Sequence, residues 1–449
     1  TAKGQSEVRG KYIGMVFQDP QSSLTPHRRI GSQLLESLLL HNRLTRSEAK
    51  HHCIKLLKDV GIGAERFDDY PFQFSGGQKQ RIMLAMTLIA DPELLIADEP
   101  TTALDVTVQA TILALLKKLR DQRGLGLIFV SHDLGLVAGL ADKVIVMQHG
   151  KIVEHGSADQ VLNNPQHSYT QALLAASKLS ETTQPDQSNT LAPILEARNL
   201  AISYPPNKKP LVSGVSLRLY EGQICGLVGE SGSGKSTLGR ALLGPVRGEP
   251  GRIVKGQVRF QEHAISHFSH QQAASIRPLI QNIYQDPFAS LNPRYTVHAT
   301  LSEILQSLGL RDKHQIHLSV AELLDDVGLS DDFANRYPHQ LSGGQLQRVA
   351  IARALATKPK ILIADEPVSA LDVSIQAQIL ELLKTLAVKY QLAILLISHD
   401  LAVVRNLCQY VAVMYQGTIV EQGSAAQVLF KPQHEYTQTL LDAAANSQF

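Results

Sequence analysis

The chain contains much of itself twice. YPFQFSGGQKQR at Tyr70–Arg81 returns as YPHQLSGGQLQR at Tyr337–Arg348, a displacement of 267 residues (70 to 337). LLIADEP at Leu94–Pro100 returns at the same displacement as ILIADEP at Ile361–Pro367, and FVSHDL at Phe129–Leu134 as LISHDL at Leu396–Leu401. FQDP at Phe17–Pro20 pairs with YQDP at Tyr284–Pro287, and the tail QHSYTQALL pairs with QHEYTQTLL. One displacement held across so many segments is a tandem duplication of a domain-sized unit. A single core rarely grows past about 250–300 residues, so 449 residues already call for two domains. We expect domains at 1–176 and 195–449, joined by a polar tether at 177–194 (SKLSETTQPDQSNTLAPI) with two prolines and little periodicity. Copy 2 opens near Leu195, whose counterpart would precede Thr1. The expectation is therefore a first copy without its leading part, as in a fragment, with a natural loss as the alternative.

Composition narrows the class. Lys and Arg number 43 against 41 Asp and Glu, a net charge of +2, which leaves no dominant basic footprint for nucleic acid. Hydrophobic residues at 44% supply enough side chain for packed cores. Cys53, Cys225 and Cys408 form no CxxC pair and read as reduced, buried thiols. No apolar run approaches the roughly 18–20 residues that span a bilayer; Leu392–Ile397 is strand-sized. A membrane role would come through a partner. The start at Thr1 carries no signal-peptide pattern.

In copy 2, Gly229, Glu230, Ser231, Gly232, Ser233, Gly234, Lys235, Ser236 and Thr237 match GxxxxGK[ST]. The apolar QICGLV at 223–228 reads as a strand before it, and 236–243 as the start of a helix. Glycines let backbone N–H groups converge on phosphates, and the helix N-terminus adds positive partial charge. Lys235 would reach the β- and γ-phosphates, and the Ser236 hydroxyl would ligate Mg²⁺. The run ILIADEP reads as a strand buried on both faces that ends in two acids. Ligands sit at such carboxyl ends in open α/β sheets. Asp365 is placed for the Mg²⁺ shell and Glu366 for polarising a water, and the pair recurs as Asp98 and Glu99.

A phosphate loop, SGGQ, ADEP, LD and SHD in this order resemble the ATP-binding cassette (ABC) ATPase family over nearly all of the chain outside the tether. The resemblance implies an α/β fold: two tandem P-loop NTPase domains, each a mainly parallel sheet core with an inserted helical subdomain. It implies that Tyr204 stacks on adenine and that Gln285 and Gln18 are Q-loop glutamines at the metal and the attacking water. Ser342, Gly343, Gly344 and Gln345, and Ser75, Gly76, Gly77 and Gln78, resemble the signature motif. Asp372 and Asp105 resemble the D-loop, and His399 and His132 the switch histidine. The family holds ATP head to tail. The loop of copy 2 (Lys235, Ser236, Asp365, Glu366, Gln285, His399) would then face Ser75–Gln78, and the second site would set Gln18, Asp98, Glu99 and His132 against Ser342–Gln345, but with its P-loop missing that second site, as given, is not expected to hold phosphates.

The implied reaction is phosphoryl transfer from ATP to water, with Glu366 as general base. Closure of the copies around ATP would assemble the site. Segments 19–78 and 286–345 read as helical subdomains, with Leu301, Ile304, Leu305 and Leu308 forming an amphipathic stripe. The resemblance places coupling helices of two transmembrane permease subunits in the groove beside Gln18 and Gln285, at the cytoplasmic face of the inner membrane. The tails PQHSYTQALL and PQHEYTQTLL resemble those of dipeptide, oligopeptide and nickel importers, which implies an extracytoplasmic solute-binding protein as a further partner. Many members carry a cysteine cluster after this tail; this chain has none. Copy 1 departs at Phe74, where copy 2 has Leu341, and at Met86, where copy 2 has Arg353. A ribosome-acting tandem cassette would need a longer, charged linker, and a DNA-repair cassette long heptad coiled coils. A non-catalytic nucleotide-binding scaffold is the further alternative if Thr1 is the true start.

Overall fold

The structure is a computed structural model. It describes residues 8, 10–17, 23–41, 44–101, 106–131, 133–177, 192–204, 209–244, 252–265, 272, 275–369 and 371–445. The chain divides into two compact units, Thr1–Leu174 with Ala443–Phe449, and Ala175–Asp442. The end of the tether belongs to the second unit, where the buried Ile194 donates its N–H to Leu219 O at 2.8 Å.

In the first unit β1 (Ile13–Val16), β2 (Leu94–Asp98) and β3 (Gly126–Val130) form a parallel sheet in that order. A separate antiparallel ribbon joins β4 (Lys143–Gln148) to β5 (Lys151–Ser157). The second unit has two sheets. One is antiparallel, built from β6 (Leu195–Ser203), β7 (Val212–Leu219), β9 (Arg252–Phe260) and β10 (His263–Ala264). The other contains β8 (Ile224–Val228), β11 (Ile280–Ile283), β12 (Ile361–Asp365), β13 (Ala393–Ile397), β14 (Tyr410–Tyr415) and β15 (Thr418–Ser424) in the order β11-β12-β13-β8-β14-β15, parallel except for β15. Every residue of β8 and β13 is buried, as expected of a parallel strand covered on both faces. The antiparallel sheet supplies the cover: Ile202, Val212 and Leu217 share one core with Leu227, Leu395 and Met414.

The repeat reaches fine detail. The ribbon bulges between Val146 and Met147, and its counterpart between Val413 and Met414. The central strand is where the units differ. In the second unit β8 pairs with both β13 and β14; among the described residues the first unit has no counterpart of β8, so β3 and β4 stand in separate sheets. Ile128, Ile145 and Met147 are 50%, 61% and 58% exposed, whereas Leu395, Ala412 and Met414 at the repeated positions are fully buried.

The helical insertion of the second unit comprises Val297–Ser307, Lys313–Asp326 and Gly343–Leu355. The side chains of Thr296 and Asp312 cap the first two, accepting from the backbone N–H of Ala299 and of His314 and Gln315. The expected stripe is one turn too long. Leu301 and Leu305 are buried, but Leu308 is the C-cap and stands exposed, because the helix has ended before its side chain can return to the packed face.

Candidate nucleotide site

The loop after β8 is shaped by close approach. Gly229 has φ +147°, and a Cβ there would lie 2.1 Å from the Met414 carbonyl oxygen. Gly234, at φ +104°, is the N-cap of helix Lys235–Leu242, and a Cβ on it would lie 2.9 Å from Val212 Cγ2. Other residues at these positions would have to move backbone or core, which is why glycine stands there. Lys235 is 5% exposed, and its Nζ donates to Gly229 O at 2.7 Å and Glu230 O at 2.8 Å. The ammonium thus lies along the loop, where bound phosphate would compete for it. Ser231 lies at the exposed apex and Thr237 in the first turn of the helix.

Ser236 Oγ donates to Asp365 Oδ1 at 2.9 Å, so the two oxygens expected at Mg²⁺ are already neighbours. Burial raises the Asp365 carboxyl above its ordinary value, only partly offset by the Ser236 hydrogen bond. A buried carboxyl whose charged form the fold disfavours, beside a hydroxyl, fits a hard divalent cation. Among the described residues no group of three or more His, Cys, Asp or Glu is placed to hold a metal ion.

Glu366 is the centre of the site. Its φ is +48°, in the left-handed region where a non-glycine residue costs on the order of 1–3 kcal/mol. The N–H of Glu366 donates to Ile397 O at 2.9 Å, which fixes this kink at the sheet end. Gln285 Nε2 donates to Glu366 Oε2 at 2.9 Å, and His399 Nδ1 lies 3.1 Å from Oε1. A carboxylate only accepts, so Nδ1 carries the proton in this pair. Burial pushes the Glu366 carboxyl up, but the hydrogen bond and charge of His399 and the charge of Lys235 outweigh it, and the net is below the ordinary glutamate value. Two adjacent acids are thereby driven apart, Asp365 upward and Glu366 downward. The strained φ and the Ser398–Asp400 turn left no mark in the sequence pattern. In that turn Asp400 Oδ1 accepts from Ala402 N–H at 2.8 Å and starts helix Leu401–Leu407, so the acid of SHD is a cap that aims the histidine.

Arg353 ties the insertion to the Q-loop. Its guanidinium donates to the Ser290 carbonyl and lies over the Tyr284 ring, 5.9 Å from the centroid, next to Gln285. Met86 instead packs on the apolar core of the first unit. The other departure, Phe74, is also a packing matter: its buried ring lies under Arg66, 4.2 Å from the guanidinium carbon.

Both signature segments form the same capping box. Ser342 Oγ accepts from Gln345 N–H at 3.4 Å while Gln345 Oε1 accepts from Ser342 N–H at 3.0 Å; Ser75 and Gln78 do likewise at 3.4 and 3.1 Å. Gly343 and Gly76 open the helices. Gly344 and Gly77 let the next helix approach, since Cβ atoms there would fall 2.5 Å from Ile375 Cγ2 and 2.4 Å from Val108 Cγ1. Asp372 is the N-cap of helix Val373–Tyr390 but forms no capping bond. Tyr204 follows β6 and is half-buried. In copy 1, Asp98 ends β2, and Glu99 repeats the kink, with φ +44° and its N–H donating to Val130 O at 3.0 Å. Gln18, Asp105 and His132 lie outside the described residues.

The profile of the family described as ABC transporter matches residues 2–102 and 212–369. This chain belongs to the ABC transporter family. It is an ATP-binding ATPase of that family. Its relatives include the peptidoglycan transport ATP-binding protein YejF of Agrobacterium fabrum, 44% identical over 98% of this chain and 81% of that one. The glutathione import ATP-binding protein GsiA of Escherichia coli O6:H1 is 44% identical over 99% of this chain and 76% of its own length. The solved cbiO1 of Clostridium perfringens, part of the ABC transporter complex cbiONQ, aligns with 54% of this chain and 92% of that chain at 26% identity and a TM-score of 0.48.

A second profile, described as the oligopeptide/dipeptide transporter C-terminal region, matches residues 153–196 and 420–448. Its tail motif has a visible anchor. The Glu421 carboxylate accepts from Gln433 N–H at 2.9 Å and His434 N–H at 3.1 Å, and His434 Nδ1 accepts from Tyr436 N–H at 3.1 Å. Glu154, His167 and Tyr169 repeat all three bonds. Sequence reasoning recognised the tail but missed the two glutamates that hold it.

Proposed function

We propose that this chain couples ATP hydrolysis to import of peptides or similar small solutes, acting at the Lys235–Ser236–Asp365–Glu366 site. The observation that carries this is Glu366, held between Gln285 and His399 with its carboxyl below the ordinary value, beside the phosphate loop. Lys235 and the loop amides bind the β- and γ-phosphates. Ser236 and Asp365 would hold Mg²⁺, which supplies charge neutralisation at those oxygens. Glu366 accepts a proton from a water that Gln285 orients. The water oxygen bonds to the γ-phosphorus as the bond to the bridging oxygen breaks, leaving ADP and phosphate. His399 keeps the Glu366 carboxylate aimed.

In this reading Ser75–Gln78 completes the Lys235 site, and Ser342–Gln345 pairs with Asp98 and Glu99 of copy 1. Tyr204 stacks on adenine, and Asp372 and Asp105 serve as the D-loop acids. The domains are 1–176 and 195–449. Among the described residues no helix is long and apolar enough to cross a membrane. In this reading two permease subunits form the path, a solute-binding protein delivers the cargo, and this chain docks on the cytoplasmic side of the inner membrane. The tail region and the names of the two relatives support a peptide-type cargo.

Phosphate release and nucleotide binding test the site together. Glu366→Gln is expected to cut turnover at least 100-fold while ATP still binds; unchanged turnover would remove Glu366 from its role. Ser75→Ala is expected to impair the Lys235 site more than Ser342→Ala, and the reverse ranking would overturn the head-to-tail pairing.

A further inference from the structure

We propose that Tyr436, in the C-terminal tail, is a positioning residue for the phosphate loop and sets its affinity for nucleotide. Its phenolic oxygen accepts from the backbone N–H of Glu230, the first residue after Gly229, at 3.1 Å. The carbonyl of Glu230 in turn accepts from Lys235 Nζ and from Ser233 N–H at 3.1 Å. One residue of the loop is thus pinned on its donor side by the tail and on its acceptor side by the phosphate-binding lysine.

The pin is itself supported. The Tyr436 ring stacks on Tyr415 with centroids 4.1 Å apart. Tyr415 ends β14, the strand whose Met414 carbonyl meets Gly229, and Gly417 N–H just beyond it donates to Ser233 O at 3.0 Å. Immediately before Tyr436 the tail is clamped to Glu421 on β15. Strand, turn and tail helix Glu435–Ala445 therefore form one back wall to the loop. A backbone N–H held by a fixed hydroxyl preserves the loop shape before phosphate arrives, and preorganisation of this kind raises affinity without touching the ligand. Copy 1 keeps the tyrosine as Tyr169 but has Gln148 where Tyr415 stands, so the stack is particular to the second unit.

The inference rests on the Lys235 loop being the ATP site. The test uses the full chain, with equilibrium binding of a fluorescent ATP analogue and steady-state phosphate release. Tyr436→Phe deletes only the hydroxyl and keeps the ring. The dissociation constant and KM for ATP should rise roughly three- to tenfold, the range that one lost backbone hydrogen bond corresponds to, with kcat within about twofold. Tyr169→Phe should change neither. A purely structural role would lower the thermal midpoint and leave KM alone, and that outcome overturns the proposal, as does an equal effect of Tyr169→Phe. If Tyr436→Phe does not fold, Tyr415→Leu removes the supporting ring while leaving the hydroxyl; an unchanged dissociation constant there overturns it too. A wild-type chain that binds no nucleotide defeats the site assignment itself, whereas a wild-type chain that binds with Tyr436→Phe unaltered defeats this inference alone.

Discussion

Asp365 and Glu366 are neighbours in the chain with opposite electrostatics, and the difference lies in what each one touches. Burial dominates at Asp365, whereas His399 and Lys235 overcome burial at Glu366. Asp365→Asn should therefore leave the thermal midpoint unchanged or raised, since it removes a charge that the fold disfavours and leaves Oδ1 to accept from Ser236. The same variant should lose at least about 100-fold in Mg²⁺-dependent turnover. Calorimetry alongside phosphate release checks both halves; a lowered midpoint would mean that the charge is paired in the fold. Arg353→Met, which installs the residue of copy 1, should mainly loosen the Q-loop segment. Faster hydrogen exchange around Tyr284–Ser290 is the expected sign.

Among the elements, the tail helices show how a motif becomes a fastening. Gln433 and His434 offer backbone N–H groups at the start of Glu435–Ala445, and one carboxylate from β15 takes both. Burial pushes the Glu421 carboxyl up, but the nearby Thr437 hydroxyl and the bonds from Gln433 and His434 prevail and leave it below its ordinary value of 4.5. An acid depressed in the fold contributes stability that is fully present above its unfolded pKa and is lost as pH falls through its folded pKa. Amides of Glu435–Ala445 should thus keep their protection above pH 4.5 and lose it in the acid range below, as followed by hydrogen exchange. Glu421→Ala should show the unprotected tail already at neutral pH. If protection is indifferent to both changes, the clamp is not what holds the helix.

At the scale of the whole molecule, one repeated sequence occupies two environments. Met147 and Met414 stand at the same position of the repeat, at the same bulge, yet one is 58% exposed and the other fully buried. Met414→Ala should cost roughly 2–5 kcal/mol in the unfolding transition of the second unit, because it opens a cavity between the two sheets. Met147→Ala should fall within about 0.5 kcal/mol, as surface changes do. Denaturant titration of the two variants checks this, and equal costs would mean that the exposed face of the first unit is covered in solution.

The duplication, the phosphate loop, the acid-tipped strand and the signature segments were all legible in the sequence. Their causes are local: glycine at forced φ, serine at an N-cap, and an apolar run with no polar break. The tethering of the loop to a tyrosine 206 residues away, the two glutamates that fasten the tails, and the arginine hold on the Q-loop were not legible, because each joins groups far apart in the chain. The opposite protonation tendencies of Asp365 and Glu366 belong with these. No spacing encodes them, since they follow from which side chains the folded sheet brings within hydrogen-bond reach and from how much water it removes.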